Sequence, residues 1–274
     1  MIALRVRVRG ADPHGVVLAE LLELSPAGVE ERGLPDGGVE YVIYGAPGEL
    51  PALPDLEAAV GEVLVDVTTE TIADDWAERW KVWHRPVEVE GGGRRLRVRP
   101  PWEAAIEDDP ELIELVVDPG QAFGTGAHHT TRLCLELLLG LEPGGPFADW
   151  GSGTGVLAIA AARLGYEPVL AIDNDPHSVD ASRANAAVNG IRLEARRHDL
   201  RATPAPHAPT VCANLVRPLL LDVARRMETV PSHLICSGLL RHEADEIAGA
   251  FARHGLEEAA RRSSGEWSAI LLRR

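Results

Sequence analysis

A doubly wound α/β sheet, preceded by a small α+β domain, is the architecture this sequence predicts. Three observations carry that reading. From about residue 115 the chain alternates strand-like and helix-like segments. One of them, Val169-Leu170-Ala171-Ile172, is a continuous apolar run, as expected of a parallel strand covered on both faces. At 274 residues the chain is long enough for one large and one small domain.

The elements follow in order. Leu4, Val6 and Val8 alternate with arginines, the pattern of a half-buried strand. Asp12-Pro13 supplies an N-cap and a first-turn proline for a helix. Residues 39–44 read as a strand, residues 55–60 as a short helix and residues 63–67 as another strand. Trp76, Trp80 and Trp83 share one helix face and predict a connecting helix docked on the larger domain. Gly91-Gly92-Gly93 turns a hairpin between Val87-Glu88-Val89 and Leu96-Arg97-Val98. Beyond it, residues 156–164 form an Ala-rich helix, and residues 178–189 a second one stopped by Gly190. A strand at 234–236, a helix at 243–254 stopped by Gly255 and a final strand at 267–272 complete the series. The expected divisions are an α+β domain over residues 1–67, a connecting helix and hairpin over 68–99, and the doubly wound domain over 100–274.

Composition excludes several classes. No run of eighteen apolar residues exists to span a membrane, and the Arg-alternating start lacks the apolar block of a signal peptide, so the expected location is the cytoplasm. Cys134, Cys212 and Cys236 are odd in number and far apart, which suits buried thiols in a reducing compartment. Net charge is −15, and residues 1–80 hold sixteen acids against five arginines. That excess disfavours direct nucleic-acid binding, because phosphates need cations. It favours a basic partner steered by the field, although a soluble surface would carry the same charge. The adjacent His128 and His129 diverge, and no Cys or carboxylate stands at ligand spacing, so no metal site is expected.

The chemistry concentrates in Asp149-Trp150-Gly151-Ser152-Gly153-Thr154-Gly155, a D-x-G-x-G-x-G turn from strand to helix. Glycines let the backbone approach a ligand, and the following helix points its amino end at it. Asp173 closes the next strand, where a carboxylate can accept both hydroxyls of a ribose. The pair predicts a nucleoside ligand. A dinucleotide site wants G-x-G-x-x-G, and a phosphate loop wants G-K-[ST]; neither fits. The spacing is similar to the first motif of S-adenosylmethionine-dependent methyltransferases with a Rossmann-like sheet. That likeness puts Asp149 near the methionine end, Gly151 and Gly153 against the cofactor, and Asp199 near the adenine amine. A loop rich in Gly and Thr, Phe123-Gly124-Thr125-Gly126-Ala127-His128-His129-Thr130-Thr131, is suited to close over the ligand.

This loop, the glycine turn, Asp173-x-Asp175-Pro176 and Ala213-Asn214-Leu215 together resemble the ribosomal protein L-eleven methyltransferase family (PrmA). Trp76, Trp80-Lys81, Pro86, Pro100-x-Trp102, Ser237-Gly238-Leu239 and Glu266-Trp267 extend the likeness. The resemblance implies an N-terminal substrate-recognition domain and a Rossmann-like methyltransferase domain. It implies transfer from S-adenosylmethionine to lysine side chains and an N-terminal α-amine of a basic large-subunit ribosomal protein. Thr131, Gly151, Asp173 and Asn214 are then cofactor contacts, with Phe123 in the covering loop. Trp150 replaces the smaller residue usual there and is expected to alter the methionine pocket. Asn214 and the Leu215 carbonyl are placed to accept the hydrogens of the amine and aim its lone pair, and the enzyme is expected to be a monomer. The alternatives are methylation of another protein or a small molecule, a cofactor-binding module without catalysis, and a dehydrogenase, which the glycine spacing disfavours.

Overall fold

The structure, a computed structural model, describes residues 2–9, 30–34, 38–45, 64–71, 85–118 and 128–274. The helices expected after Asp12 and over residues 55–60, the tryptophan helix, and Phe123 with its loop lie outside the described residues. Two compact units divide between Trp83 and His84.

In the first unit, four antiparallel strands lie in the order β2-β3-β1-β4: β1 (Ile2–Val8), β2 (Glu30–Gly33), β3 (Val39–Gly45) and β4 (Leu64–Thr71). Leu4, Val6 and Val8 are buried, as their alternation requires. Glu40 is buried between Arg5 and Arg7, at 3.0 and 2.8 Å, and the two guanidiniums hold its carboxyl below the ordinary range. Strand β4 runs further than its apolar stretch suggests. Thr68 to Thr71 pair with Arg5 to Ile2 of β1, so a boundary at residue 67 would cut the strand. Those polar residues carry no core signal, but threonine is β-branched and tolerates an exposed strand position.

The hairpin of β5 (Val87–Gly91) and β6 (Arg94–Arg99) belongs to the second unit. Strand β7 (Leu112–Val116) pairs parallel to β6 in this three-stranded sheet. The strand near residue 115 therefore completes the hairpin and does not open the doubly wound sheet. The hairpin grips helix α1 (His129–Leu139): a side chain on Gly91 would overlap the Glu136 carbonyl, and Arg94 donates to the Leu139 and Leu141 carbonyls at 2.8 Å each. A cation at a helix C-terminus is favourable to its dipole.

The main sheet has seven strands in the order β10-β9-β8-β11-β12-β14-β13. They are β8 (Phe147–Trp150), β9 (Val169–Asp173), β10 (Glu194–Arg197), β11 (Thr210–Asn214), β12 (His233–Leu240), β13 (Glu257–Ser264) and β14 (Trp267–Arg273). The first five in spatial order are parallel, and β14 is antiparallel to both its neighbours. Helices α2 (Val156–Leu164), α3 (Pro176–Val188), α4 (Arg217–Arg226) and α5 (Ala244–Ala252) complete the layers. Alternate strand residues feed two cores. Phe147, Ala171, Cys212 and Ile235 pack with α1 and α2, while Ala148, Ile172, Ala213 and Leu234 pack with α4 and α5. That is the doubly wound arrangement. Strand order reverses between β8 and β11, and ligands of such sheets bind at that switch, outside the carboxyl ends of the strands. Strand β13, mostly polar and at the edge, carried no apolar alternation in its sequence. Among the described residues no helix is long and apolar enough to cross a membrane.

Candidate functional site

The glycine turn leaves β8 at the switch point. Gly151 has φ +79, and a side chain there would overlap that of Leu215 at the end of β11. Gly155 has φ +82, and a side chain there would crowd Ser182 of α3. The first glycine thus lets the two switch-point strands end side by side, and the third lets α2 start against α3. Gly151 and Ser152 both donate to the Ile172 carbonyl at 2.9 Å, stitching the turn to β9.

Asp173 ends β9 and locks the turn. One oxygen accepts the Gly153 amide at 2.9 Å and the other the Asp175 amide at 3.0 Å. A carboxylate has about four acceptor sites, so each oxygen keeps capacity for a hydroxyl. Asp175 in turn caps α3, accepting from the His177 amide at 3.0 Å. Asp199, beyond β10, pairs with Arg201 at 3.1 Å. The Arg201 amide and guanidinium hold its carboxyl below the usual range.

These groups converge on a cavity of about 430 Å³ at the ends of β8, β9, β10 and β11. Gly151, Asp173, Asp199 and Leu215 line it, as do Asn174 and Leu219. Gly153 adjoins it through its bond to Asp173. Thr131, in the first turn of α1, is 3.4 Å from the Asn214 amide, which donates to its hydroxyl. Four expected residues therefore share one cavity, and two more meet each other at the chain position preceding Leu215.

Asp149 stands apart. It is fully buried, with Oδ2 accepting the Ala158 amide of α2 at 3.2 Å and Oδ1 without a hydrogen-bond partner. Gly155 has no side chain with which to cap α2, and Asp149 supplies the acceptor from the strand below. Burial, with a smaller repulsion from Asp173, pushes its carboxyl up to about 7, against the opposing effect of the Ala158 bond. The native state then binds this proton more tightly than the unfolded chain. The stabilisation is complete below pH ~4 and is lost as pH rises through about 7. Asp149→Asn keeps an acceptor without a charge. Its melting temperature is expected to rise relative to wild type between pH 5 and pH 8, read by calorimetry on protein without cofactor; a constant difference would mean the carboxyl does not titrate there.

Trp150 is not among the residues that line this cavity. Side chains alternate along β8, so it faces the opposite core from Asp149, 2% exposed, with Nε1 donating to the Pro206 carbonyl at 3.3 Å. Sequence reasoning missed two asparagines one helical turn apart, Asn185 in α3 and Asn189 at its C-cap. Asn185 Oδ1 accepts the Asp118 amide, and Asn189 Oδ1 accepts the Val116 amide, both at 2.9 Å. They anchor the chain where it leaves β7 for the loop containing Phe123. Only the i, i+4 spacing could have flagged them. The adjacent histidines diverge: His128 caps α1 through the Thr130 amide and its ring meets Trp267, while His129 reaches Ser264 at 2.8 Å.

A cavity with carboxylates at two successive strand ends, an apolar slot beside them and a glycine turn beneath, at the switch of a parallel-dominated seven-stranded sheet, defines the Rossmann-like methyltransferase class. Relatives and a solved structure agree. A family model described as "Ribosomal protein L11 methyltransferase (PrmA)" matches residues 53–274, and the chain belongs to that family. The Ribosomal protein L11 methyltransferase of Pelotomaculum thermopropionicum is 34% identical over 262 residues, 89% of this chain and 84% of that one. That of Heliobacterium modesticaldum is 35% identical over 212 residues, 75% of this chain. In this second alignment the chain spans 66% of its relative, just under two thirds. The crystal structure of ribosomal protein L11 methylase from Lactobacillus delbrueckii subsp. bulgaricus superposes with a TM-score of 0.59 at 29% identity, covering 68% of this chain and 98% of that one.

Proposed function

We propose that this chain transfers methyl groups from S-adenosylmethionine to amino groups of ribosomal protein L11, both lysine side chains and the N-terminal α-amine. The observation that carries this reading is the switch-point cavity, lined by Asp173, Asp199 and Leu215, with Asn214 immediately before Leu215 at the end of β11. The residues fit the cofactor: Asp173 for the ribose hydroxyls, Asp199 for the adenine end, Gly151 and Gly153 for close backbone approach, and Thr131 with Asn214 for the methionine end. When bound, S-adenosylmethionine supplies an electrophilic methyl on a positively charged sulfur.

The chain's own work is to present a neutral amine in line. Free lysine has a pKa of about 10.4 and an α-amine about 7.7–8.0, and burial near a positive charge lowers both. The proton leaves to water before docking, so no dedicated base is required. The Asn214 side-chain oxygen and the Leu215 carbonyl accept the two amine hydrogens and fix where the lone pair points. That division of labour fits the observed contact, because the Asn214 nitrogen is already turned to Thr131, leaving its oxygen for the substrate.

The acidic first unit suits a basic ribosomal protein, and the reading is of a monomeric cytoplasmic enzyme that makes no direct nucleic-acid contact. Methylation by the full chain is expected to fall steeply above roughly 0.15 M salt, where the Debye length is about 8 Å and shrinking. A fragment of residues 84–274 is expected to bind S-adenosylmethionine yet methylate the protein slowly. Equal rates for fragment and full chain would place recognition in the second unit. The deciding experiment is incubation with methyl-labelled S-adenosylmethionine and undermethylated ribosomes. Label in one small basic protein supports the proposal; label in small molecules, or binding without transfer, rejects it.

A further inference from the structure

The Ser237-Gly238-Leu239 segment sits beside the Asn214-Leu215 turn. Strand β12 bulges there, its register with β14 shifting between Cys236 and Leu239. Gly238 has φ +80, a left-handed conformation that favours glycine. A side chain at this position would overlap the carbonyl group of Leu215. One residue earlier, the Ser237 carbonyl accepts the Leu215 amide at 3.0 Å. The Ser237 hydroxyl is fully buried, 3.2 Å from the Thr130 carbonyl on α1 and 3.2 Å from the Ser268 carbonyl on β14. A hydroxyl has one proton, so it donates to one of these at a time.

The Leu215 backbone is therefore confined on both sides: its amide is bonded to Ser237, and its carbonyl packs on the surface that Gly238 leaves bare. The same serine ties in the first turn of α1, which presents Thr131 to Asn214. Resting on the reading of Asn214 and Leu215 as the amine-orienting pair, we infer that Ser237 and Gly238 are positioning residues for methyl transfer. They set the direction of the Leu215 carbonyl, the second acceptor of the amine's hydrogens, through the backbone of the bulge.

The test compares Gly238→Ala with Gly255→Ala. Gly255 has a matching φ of +77 but open space where its side chain would go, so it reports backbone strain alone. Gly238→Ala should lower single-turnover transfer to the ribosomal protein by about thirtyfold or more, since misplacement on the ångström scale costs that much. Its cofactor Kd and its KM for the protein should stay within about threefold, because neither ligand's main contacts move. Hydrogen exchange at the Leu215 amide should accelerate by about tenfold or more as the bond to Ser237 opens. Gly255→Ala should change none of these. Should Gly238→Ala fail to fold, Ser237→Ala, which removes only the hydroxyl, should lower transfer by about three- to tenfold at constant cofactor affinity. The inference is overturned if the folded variant transfers methyl as fast as wild type, or if its cofactor affinity falls in step with its rate. Absence of label from the wild-type enzyme would instead overturn the functional reading itself.

Discussion

Asn214→Ala is expected to lower kcat for methylation of the ribosomal protein by on the order of a hundredfold, while cofactor affinity changes by less than about fivefold. Asn214 ends β11, and its side chain makes a long 3.4 Å donation to Thr131. Truncating it removes little that holds the fold, and a single contact at the methionine end of the cofactor. It removes the acceptor that turns the amine's lone pair toward the methyl. Single-turnover transfer, with cofactor affinity measured alongside by calorimetry, separates the two roles. A parallel fall in both would make Asn214 a cofactor ligand only and leave the amine without its main guide.

Asp173→Ala is expected to weaken S-adenosylmethionine binding by ten- to a hundredfold. Hydrogen bonds to a charged group contribute about 1.5–3 kcal/mol, and each 1.4 kcal/mol is about tenfold in Kd. The upper end is expected, because the carboxylate also accepts the Gly153 and Asp175 amides, so its loss frees the glycine turn as well. Asp173→Asn, which can keep one of those amide bonds, should fall between wild type and alanine. Calorimetry showing the alanine variant unchanged would remove Asp173 from the ribose site.

Helix α2 was legible to the residue, since it is an alanine-rich run bounded by Gly155 and Gly165. Strand β9 was legible because both faces are covered and the sequence shows it. Edge strands were not: β13 and the end of β4 are polar, and pairing rather than burial makes them strands. The segment around residue 115 looked like any parallel strand, and nothing local tells which sheet it joins. At the site, Gly151, Gly153 and Asp173 were readable because one strand-helix-strand unit brings them together. Asn185, Leu219 and the Arg201 partner of Asp199 were not. Their roles arise from packing between helix and strand ends, which no short spacing encodes.

The grip of the β5-β6 hairpin on α1 also has a bearing on inheritance. An eleven-residue helix is about 16 Å long. Thr131 meets Asn214 at one end, and the other end is fastened by Arg94 and the close approach of Gly91. Because a helix is nearly incompressible along its axis, the fastening sets how far Thr131 reaches toward Asn214. Arg94 and Gly91 lie at the opposite end of α1 from Thr131, yet selection acting on the chemistry would be felt by both, as if they stood in the site.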